Sequence, residues 1–244
     1  MASSYGPQYP CIEDGLIFCF DPKNRDCWSG GGRTGKAYNL VNIAQTGSIS
    51  FANAPDEFEG TLTTKGYIQY DGTDDYIDFG TDYNSYLGAS DAFSACVWVN
   101  VQDRKGSNTV LSNINNNPGG TLWVKGESSG IMRFIQLVNG GAYRFKDTLA
   151  LTDDTWHFIA ATYDGSDTLG GMNIYANGAL VSQAGTSTSI TSAFPTGTTK
   201  IGAARDTVAN EFDGAIGPCM IYNRELTAAE VLTNYNRLKG RFGL

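Results

Sequence analysis

The stretch that decides the fold is residues 154–178, DTWHFIAATYDGSDTLGGMNIYANG. Its first part, Trp156–Tyr163, carries apolar residues at both odd and even positions, which is typical of a strand buried on both faces. Asn177-Gly178 then separates Met172–Tyr175 from Ala179–Ser182. An Asn-Gly pair between two such runs predicts a type I′ turn, and therefore a β-hairpin.

Further strands extend from this hairpin in both directions along the chain. Leu16–Phe20 is the first clear strand, and Phe93–Val101 is apolar on both alternating faces, as a central strand of a sandwich would be. About a dozen short strands are separated by turn residues, with no alternation of strand and helix. The pattern predicts an all-β fold, a two-sheet antiparallel jelly-roll sandwich.

One short C-terminal helix is also predicted. Thr227 and Glu230 have the spacing of a capping box, in which each side chain bonds a backbone N–H near the other residue. We expect the helix to pack on the sandwich and to stop at Gly240. Residues 1–13 show no strand alternation and are expected to form an extended N-terminal arm, while residues 14–244 form the jelly-roll domain.

Composition limits the possible functions. The chain has 30 glycines, 12% aromatic and 17% charged residues, as expected for strands joined by turns. A net charge of −8 without a Lys/Arg cluster argues against a nucleic-acid partner. We expect no membrane partner, because no apolar run approaches the roughly 20 residues of a membrane span. Met1–Pro10 lacks the basic start and apolar core of a secretory signal, so we expect synthesis in the cytoplasm.

The five cysteines are an odd number and cannot all pair within the chain. Cys19, Cys96 and Cys219 lie in apolar runs, where a reduced cysteine acts as a small hydrophobic residue. Reduced thiols are therefore favoured, and a disulfide between Cys11 and Cys27 is left open.

Four segments carry a family pattern: GYIQYDGTDDYI (66–77), FSACVWV (93–99), the hairpin of residues 154–178, and the ending from Phe212 to Val231. Together they resemble the laminin-G-like, concanavalin A-like jelly rolls. The resemblance spans residues 14–239 in the order expected for that family, which makes it specific for the fold.

Residues 21–32, DPKNRDCWSGGG, are similar to an opening found in structural proteins of tailed bacteriophages. This resemblance implies a non-enzymatic viral structural protein, located in the virion after synthesis in the host cytoplasm, as a capsid-decoration, tail or fibre component. It also implies a homo-oligomer, with a trimer favoured, that contacts other virion proteins through residues 1–13 and can contact host-surface glycans. The alternative is a carbohydrate-binding lectin domain without a virion role.

Aspartate clusters suggest a bound Ca²⁺, because hard cations are held by carboxylates and carbonyls from loops. The alternative is that these residues cap turns. Where the family often has an acidic pair, this chain has Gly217-Pro218-Cys219, so no metal role is assigned there. The candidate ligands are Asp21, Asp26, Asp71, Asp74, Asp75 and Asp213.

Aromatic residues in or beside polar loops and strand ends are the candidate sugar contacts, because sugars bind to exposed aromatic faces with hydrogen-bonding groups nearby. The alternative for each is packing or a contact between subunits. The candidates are Trp28, Tyr38, Tyr83, Tyr86, Trp123 and Tyr143.

No catalytic residues are assigned. His157 is the only histidine, which excludes a multi-histidine metal site, and a structural role is expected for it. Glu57 and Glu59, and likewise Glu211 and Asp213, alternate along the chain as glycosidase acids can. Neither pair continues into the third acid of the glucanase pattern, so we expect no enzyme.

Overall fold

The alternation of apolar residues builds sixteen strands in the described part of the chain. The computed structural model describes residues 11–24, 26–27, 36–42, 44, 46–50, 66–80, 84–88, 90–102, 108–114, 120–138, 141–181, 185–188, 190, 197–204 and 210–244. The strands are β1 (Leu16–Phe20), β2 (Lys36–Tyr38), β3 (Thr46–Ser50), β4 (Ile68–Asp71), β5 (Tyr76–Asp78), β6 (Phe93–Val101), β7 (Asn108–Ser112), β8 (Gly120–Gly126), β9 (Met132–Leu137), β10 (Tyr143–Asp147), β11 (Trp156–Tyr163), β12 (Met172–Ala176), β13 (Ala179–Leu180), β14 (Thr186–Ser187), β15 (Lys200–Ile201) and β16 (Asp213–Tyr222).

These strands form two antiparallel sheets, which confirms the predicted sandwich. Sheet I has seven strands in the order β1-β16-β6-β11-β12-β13, with β4 also paired to β16. Sheet II has nine strands in the order β14-β10-β9-β8-β7-β15-β5-β3-β2. The predicted hairpin lies between β12 and β13, and Asn177 and Gly178 both have the positive φ of a type I′ turn, 52° and 81°.

The core lies between the inner faces of the two sheets. Phe93 of sheet I contacts Phe134 of sheet II edge to face at 6.0 Å, and Phe18 contacts Phe79 in the same way at 4.8 Å. All four side chains are almost entirely buried. Each such burial contributes about 1.5–3 kcal/mol relative to leaving the side chain exposed, so these contacts hold the two sheets together.

Helix α1 (Ala228–Leu238) covers the opposite face of sheet I. The predicted capping box is present, since Thr227 and Glu230 each accept a hydrogen bond from the other's backbone N–H. Tyr235 stacks on Trp98 at 5.8 Å, and Phe242 stacks on the same indole at 4.4 Å. No helix in the described residues is long and apolar enough to cross a membrane.

Helix α1 ends at Leu238 with Lys239 as its C-cap, just before Gly240 as predicted, but Gly240 does not take the left-handed conformation that usually ends a helix. The chain continues from α1 into a 3₁₀ turn over Lys239–Phe242, and Gly243 has the left-handed φ of 79°. Phe242 stacks on Trp98 and holds this turn against sheet I, so the helical course of the chain continues through Gly240.

The described end of the predicted N-terminal arm lies against helix α1. The backbone N–H of Ile12 donates to Asn234 Oδ1 at 2.7 Å, and Arg237 donates to the carbonyl of Cys11. Residues 1–10 lie outside the described part of the chain. All five cysteines are buried free thiols in this structure, and the thiol of Cys27 donates to the Tyr38 carbonyl at 3.0 Å.

A buried ion pair joins the two ends of the described chain. Arg241 donates to both carboxylate oxygens of Asp21, at 2.8 and 2.9 Å, and each side chain is less than a tenth exposed. A third bond to Asp21 comes from the backbone N–H of Lys23. Two parallel bonds of this kind satisfy both charges, and removal of either partner would leave the other buried without compensation.

We expect Arg241→Met to lower the free energy of unfolding by about 3–5 kcal/mol, because it leaves the Asp21 carboxylate buried and unpaired. Urea unfolding followed by circular dichroism measures this loss. The matched control is Lys239→Met, which removes a cation from the same turn but only a contact to the Tyr235 ring, at 5.5 Å. The control should lose no more than about 1 kcal/mol. Equal losses in the two variants would contradict the buried pair's role.

Candidate functional site

Three predicted metal ligands come together at the turn between β4 and β5. One carboxylate oxygen from each of Asp71, Asp74 and Asp75 lies within 4.8 Å of the others. The turn carries the chain from sheet I to sheet II, since β4 pairs with β16 and β5 pairs with β3 and β15. This crossing turn therefore concentrates negative charge at one end of the sandwich.

Asp75 is the buried member of this cluster and has no exposed surface. Its Oδ2 accepts the backbone N–H of Asp71 at 3.1 Å, whereas its Oδ1 and the Oδ1 of Asp74 are buried with no hydrogen-bond partner among the described residues. Burial, followed by the nearby charges of Asp71 and Asp74, raises the pKa of Asp75 to about 7. Buried carboxylate oxygens without donors fit the oxygen ligands that Ca²⁺ takes, so these three residues could hold the ion.

The other predicted metal ligands are not part of this group. The carboxylate of Asp21 is taken up by Arg241, and Asp26 is exposed on its own turn. Asp213 lies opposite Asp71 in the register of β16 and β4, beside the turn but outside the close group. Of the predicted aspartates, only the three that share one turn are brought together in the described residues.

The predicted sugar-contact residues are spread over the molecule. Tyr38, on β2, and Tyr143, on β10, lie on sheet II near opposite edges. Tyr86, in the 3₁₀ turn Asn84–Tyr86, is 42% exposed. Trp123 is only 5% exposed, so it lacks the open face that a sugar contact requires. Trp28 and Tyr83 lie outside the described residues.

Trp123 and Tyr143 belong to one small cluster on the outer face of sheet II. Leu122 and Val124, the neighbours of Trp123 on β8, join the main core, whereas Trp123 packs with Ile114, Ile135 and Ala204 in a second cluster. Successive residues of a strand point to opposite faces, so this cluster lies on the side away from sheet I. Tyr143 and Phe145 pack against its edge and remain partly exposed.

Charged side chains surround these rings in register. Lys125 on β8, Arg133 on β9 and Asp147 on β10 are direct cross-strand neighbours, and Trp123, Ile135 and Phe145 form the next row. The Arg133 guanidinium lies 3.8 Å from the centre of the Phe145 ring, and Tyr143 stacks on Phe145 at 5.9 Å. We call the group of Lys125, Glu127, Arg133, Tyr143, Phe145 and Asp147 the outer patch.

Ion pairs fix the charged members of the outer patch. Arg133 Nε and Nη2 bond the two oxygens of Asp147 at 2.7 and 2.8 Å, while Nη1 bonds Glu127 at 3.0 Å. Lys125 Nζ pairs with the same Glu127 oxygen at 2.9 Å. The bond to Asp147 raises the pKa of Arg133 further above its ordinary value. The side chains are thereby held in one arrangement before any ligand arrives.

Sequence reasoning missed five of the six residues of the outer patch, since it identified only Tyr143. A signal was available: aromatic and charged residues occupy every second position along Trp123–Glu127 and along β10, with Arg133 on the strand between them. Such spacing places them on one face of a sheet. The missed residues are Lys125, Glu127, Arg133, Phe145 and Asp147.

His157 has the structural role that was expected. Its Nε2 lies 3.0 Å from the Thr152 carbonyl, and Nδ1 lies 3.4 Å from the Asn177 amide nitrogen in the hairpin turn. Glu211 and Asp213 flank Phe212 at the start of β16, while Glu57 and Glu59 lie outside the described residues.

Residues 71–232 match the family model described as the concanavalin A-like lectin/glucanases superfamily. The chain belongs to this superfamily. The match contains the crossing turn, the outer patch and the start of α1, so the family assignment covers both candidate sites. A comparison with curated protein sequences gave no match.

Solved structures of low sequence identity share the fold. A Trypanosoma rangeli sialidase in complex with sialic acid has a TM-score of 0.61 and 13% identity, over 93% of this chain and 33% of the sialidase. A mutant of that sialidase displaying trans-sialidase activity gives 0.64 and 14%, over 94% and 34%. The HCR/D F1240A mutant gives 0.59 and 15%, over 91% and 51%. This chain therefore spans about a third of the sialidase chains.

We expect Ca²⁺ to raise the melting temperature and a chelator to reverse the rise, because a ligand bound only by the folded state stabilises it by RT ln(1 + [L]/Kd). The measurement belongs at pH 8, above the pKa of about 7 that Asp75 has without metal. Asp75→Asn should abolish the shift. Asp26→Asn, at an exposed carboxylate outside the cluster, is the matched control and should keep it. No shift in the unmodified protein at about 10 mM Ca²⁺ would rule out even a weak site.

Proposed function

We propose that this protein is a carbohydrate-binding domain that works without catalysis, and that the outer patch is its contact surface. The observation that carries the proposal is the partly exposed stack of Tyr143 on Phe145 beside an ordered set of charged side chains. The superfamily assignment supports the substrate class, since its description names lectins and glucanases.

The chemistry of the outer patch suits a sugar. The C–H face of a pyranose ring packs on aromatic rings, and its hydroxyl groups both donate and accept hydrogen bonds. Tyr143 and Phe145 supply the rings, and Arg133 with its two carboxylate partners supplies donors and acceptors at fixed positions. Side chains already held in place lose little conformational entropy on binding, which favours affinity at a shallow surface.

The arrangement of the acids supports binding rather than hydrolysis. Glycosidases leave a gap of about 5–9.5 Å between two carboxyl groups, where the glycosidic bond or a water sits. Here the guanidinium of Arg133 fills the space between Asp147 and Glu127, bonding Asp147 at 2.7 Å and Glu127 at 3.0 Å. These two carboxylates therefore lack the opening that the reaction needs.

The predicted role in a tailed-phage particle is compatible with this proposal and stays a prediction. A shallow sugar site binds weakly alone, and linked copies raise overall binding by about 10²–10⁴ without new contacts. The expected homo-oligomer, with a trimer favoured, would provide such copies. The expected contact of residues 1–13 with other virion proteins involves residues 1–10, which lie outside the described part of the chain.

We expect the purified protein to bind a subset of glycans on an array when it is displayed in many copies. Tyr143→Ala and Phe145→Ala should each weaken binding about tenfold, the equivalent of about 1.4 kcal/mol. Tyr86→Ala is the matched control, since Tyr86 is an exposed tyrosine from a different element. Binding that depends on Tyr86 instead would place the site elsewhere, and no binding to any glycan would overturn the proposal.

A further inference from the structure

The hydrogen bonds that Arg133 already makes bear on which kind of sugar the outer patch can bind. The edge formed by Nε and Nη2 bonds both oxygens of Asp147, at 2.7 and 2.8 Å. This forked edge is the one that binds a carboxylate with two parallel bonds. An acidic sugar that used Arg133 in this way would have to displace Asp147.

We infer that the outer patch selects neutral saccharides and that Asp147 excludes acidic ones by occupying the forked edge of Arg133. This inference rests on the proposed function of the same surface. It names a specificity-determining residue, Asp147, and a ligand class, hydroxyl-rich sugars without carboxylate groups.

The charges of the outer patch balance without a ligand. Lys125 and Arg133 carry two positive charges, Glu127 and Asp147 carry two negative charges, and the four are joined by ion pairs of 2.7 to 3.0 Å. Their side chains are only 10–22% exposed, so water screens them weakly. An added carboxylate would meet two carboxylates at close range with no cation left uncompensated.

Neutral hydroxyl groups meet no such obstacle. A guanidinium has five N–H donors, and Arg133 spends three of them on Asp147 and Glu127 in the described part of the chain. The remaining donors can bond hydroxyl oxygens, and the carboxylate oxygens can accept hydroxyl protons. A sugar hydroxyl can therefore join the network without breaking an ion pair.

Two variants of equal charge test the inference. Asp147→Asn removes one negative charge and weakens the hold on the forked edge of Arg133. Glu127→Gln removes the same charge from the Nη1 side and leaves the Asp147 bonds in place. If Asp147 excludes acidic sugars by occupying that edge, only Asp147→Asn should admit them; a general charge effect would act equally in both variants.

The experiment compares binding of sialylated and matched asialo glycans by the unmodified protein and the two variants, with melting curves for all three. We expect the unmodified protein to favour asialo glycans at least tenfold, and Asp147→Asn to reduce that ratio at least tenfold more than Glu127→Gln does. A preference for sialylated glycans in the unmodified protein overturns the inference alone, even if a variant fails to fold. An unchanged ratio in a folded Asp147→Asn variant also overturns it. No binding to any glycan instead removes the proposed function, and this inference with it.

Discussion

The burial of sheet I on both faces is the constraint on which the rest of the structure depends. Phe93 on one face of β6 reaches the core between the sheets, while Trp98 on the other face lies under Tyr235 and Phe242. Because α1 and the C-terminal turn cover this outer face, its aromatic residues are buried against these two elements. On the outer face of sheet II, Tyr143 and Phe145 remain partly exposed among the described residues.

This division explains why similar residues have different roles in the two sheets. The rings of Trp156 and Phe242 lie 4.4 Å apart in a buried contact on the outer face of sheet I, whereas Phe145 contacts the guanidinium of Arg133 at 3.8 Å on sheet II. A cation over the face of an aromatic ring is attracted by the ring's quadrupole, so the Arg133–Phe145 contact stabilises this arrangement. Binding surfaces combine apolar area with oriented polar groups, and this combination on sheet II is the reason for proposing the outer patch as the contact surface.

Local patterns in the sequence were sufficient for much of the fold. The bounds of β1, β6 and β11, the Asn177-Gly178 turn and the capping box of α1 all follow from residues within a few positions of one another. The cluster at Asp71, Asp74 and Asp75 was also predicted, since a single turn brings its members together. The outer patch was not, because Arg133 and Asp147 become neighbours only through the pairing of β9 with β10. Trp123 is buried rather than exposed as expected, because it packs against Ile114 and Ala204. Asp21 pairs with Arg241, which is 220 residues away in the sequence.

The crossing turn between β4 and β5 links the fold to the second candidate site. Asp71 ends a strand of sheet I, and Asp75 precedes a strand of sheet II. Because the chain passes from one sheet to the other here, the Asp75 carboxylate is buried. A buried carboxylate with one unpartnered oxygen is stable only when a proton or a cation compensates its charge. Without metal the proton does so, which is the physical meaning of a pKa raised to about 7. Above that pH the charge returns, and two further carboxylates stand within reach of the same point. A divalent cation at this point would offset both the burial cost and the mutual repulsion of the carboxylates, whereas a proton offsets them only at a pH low enough to keep Asp75 protonated.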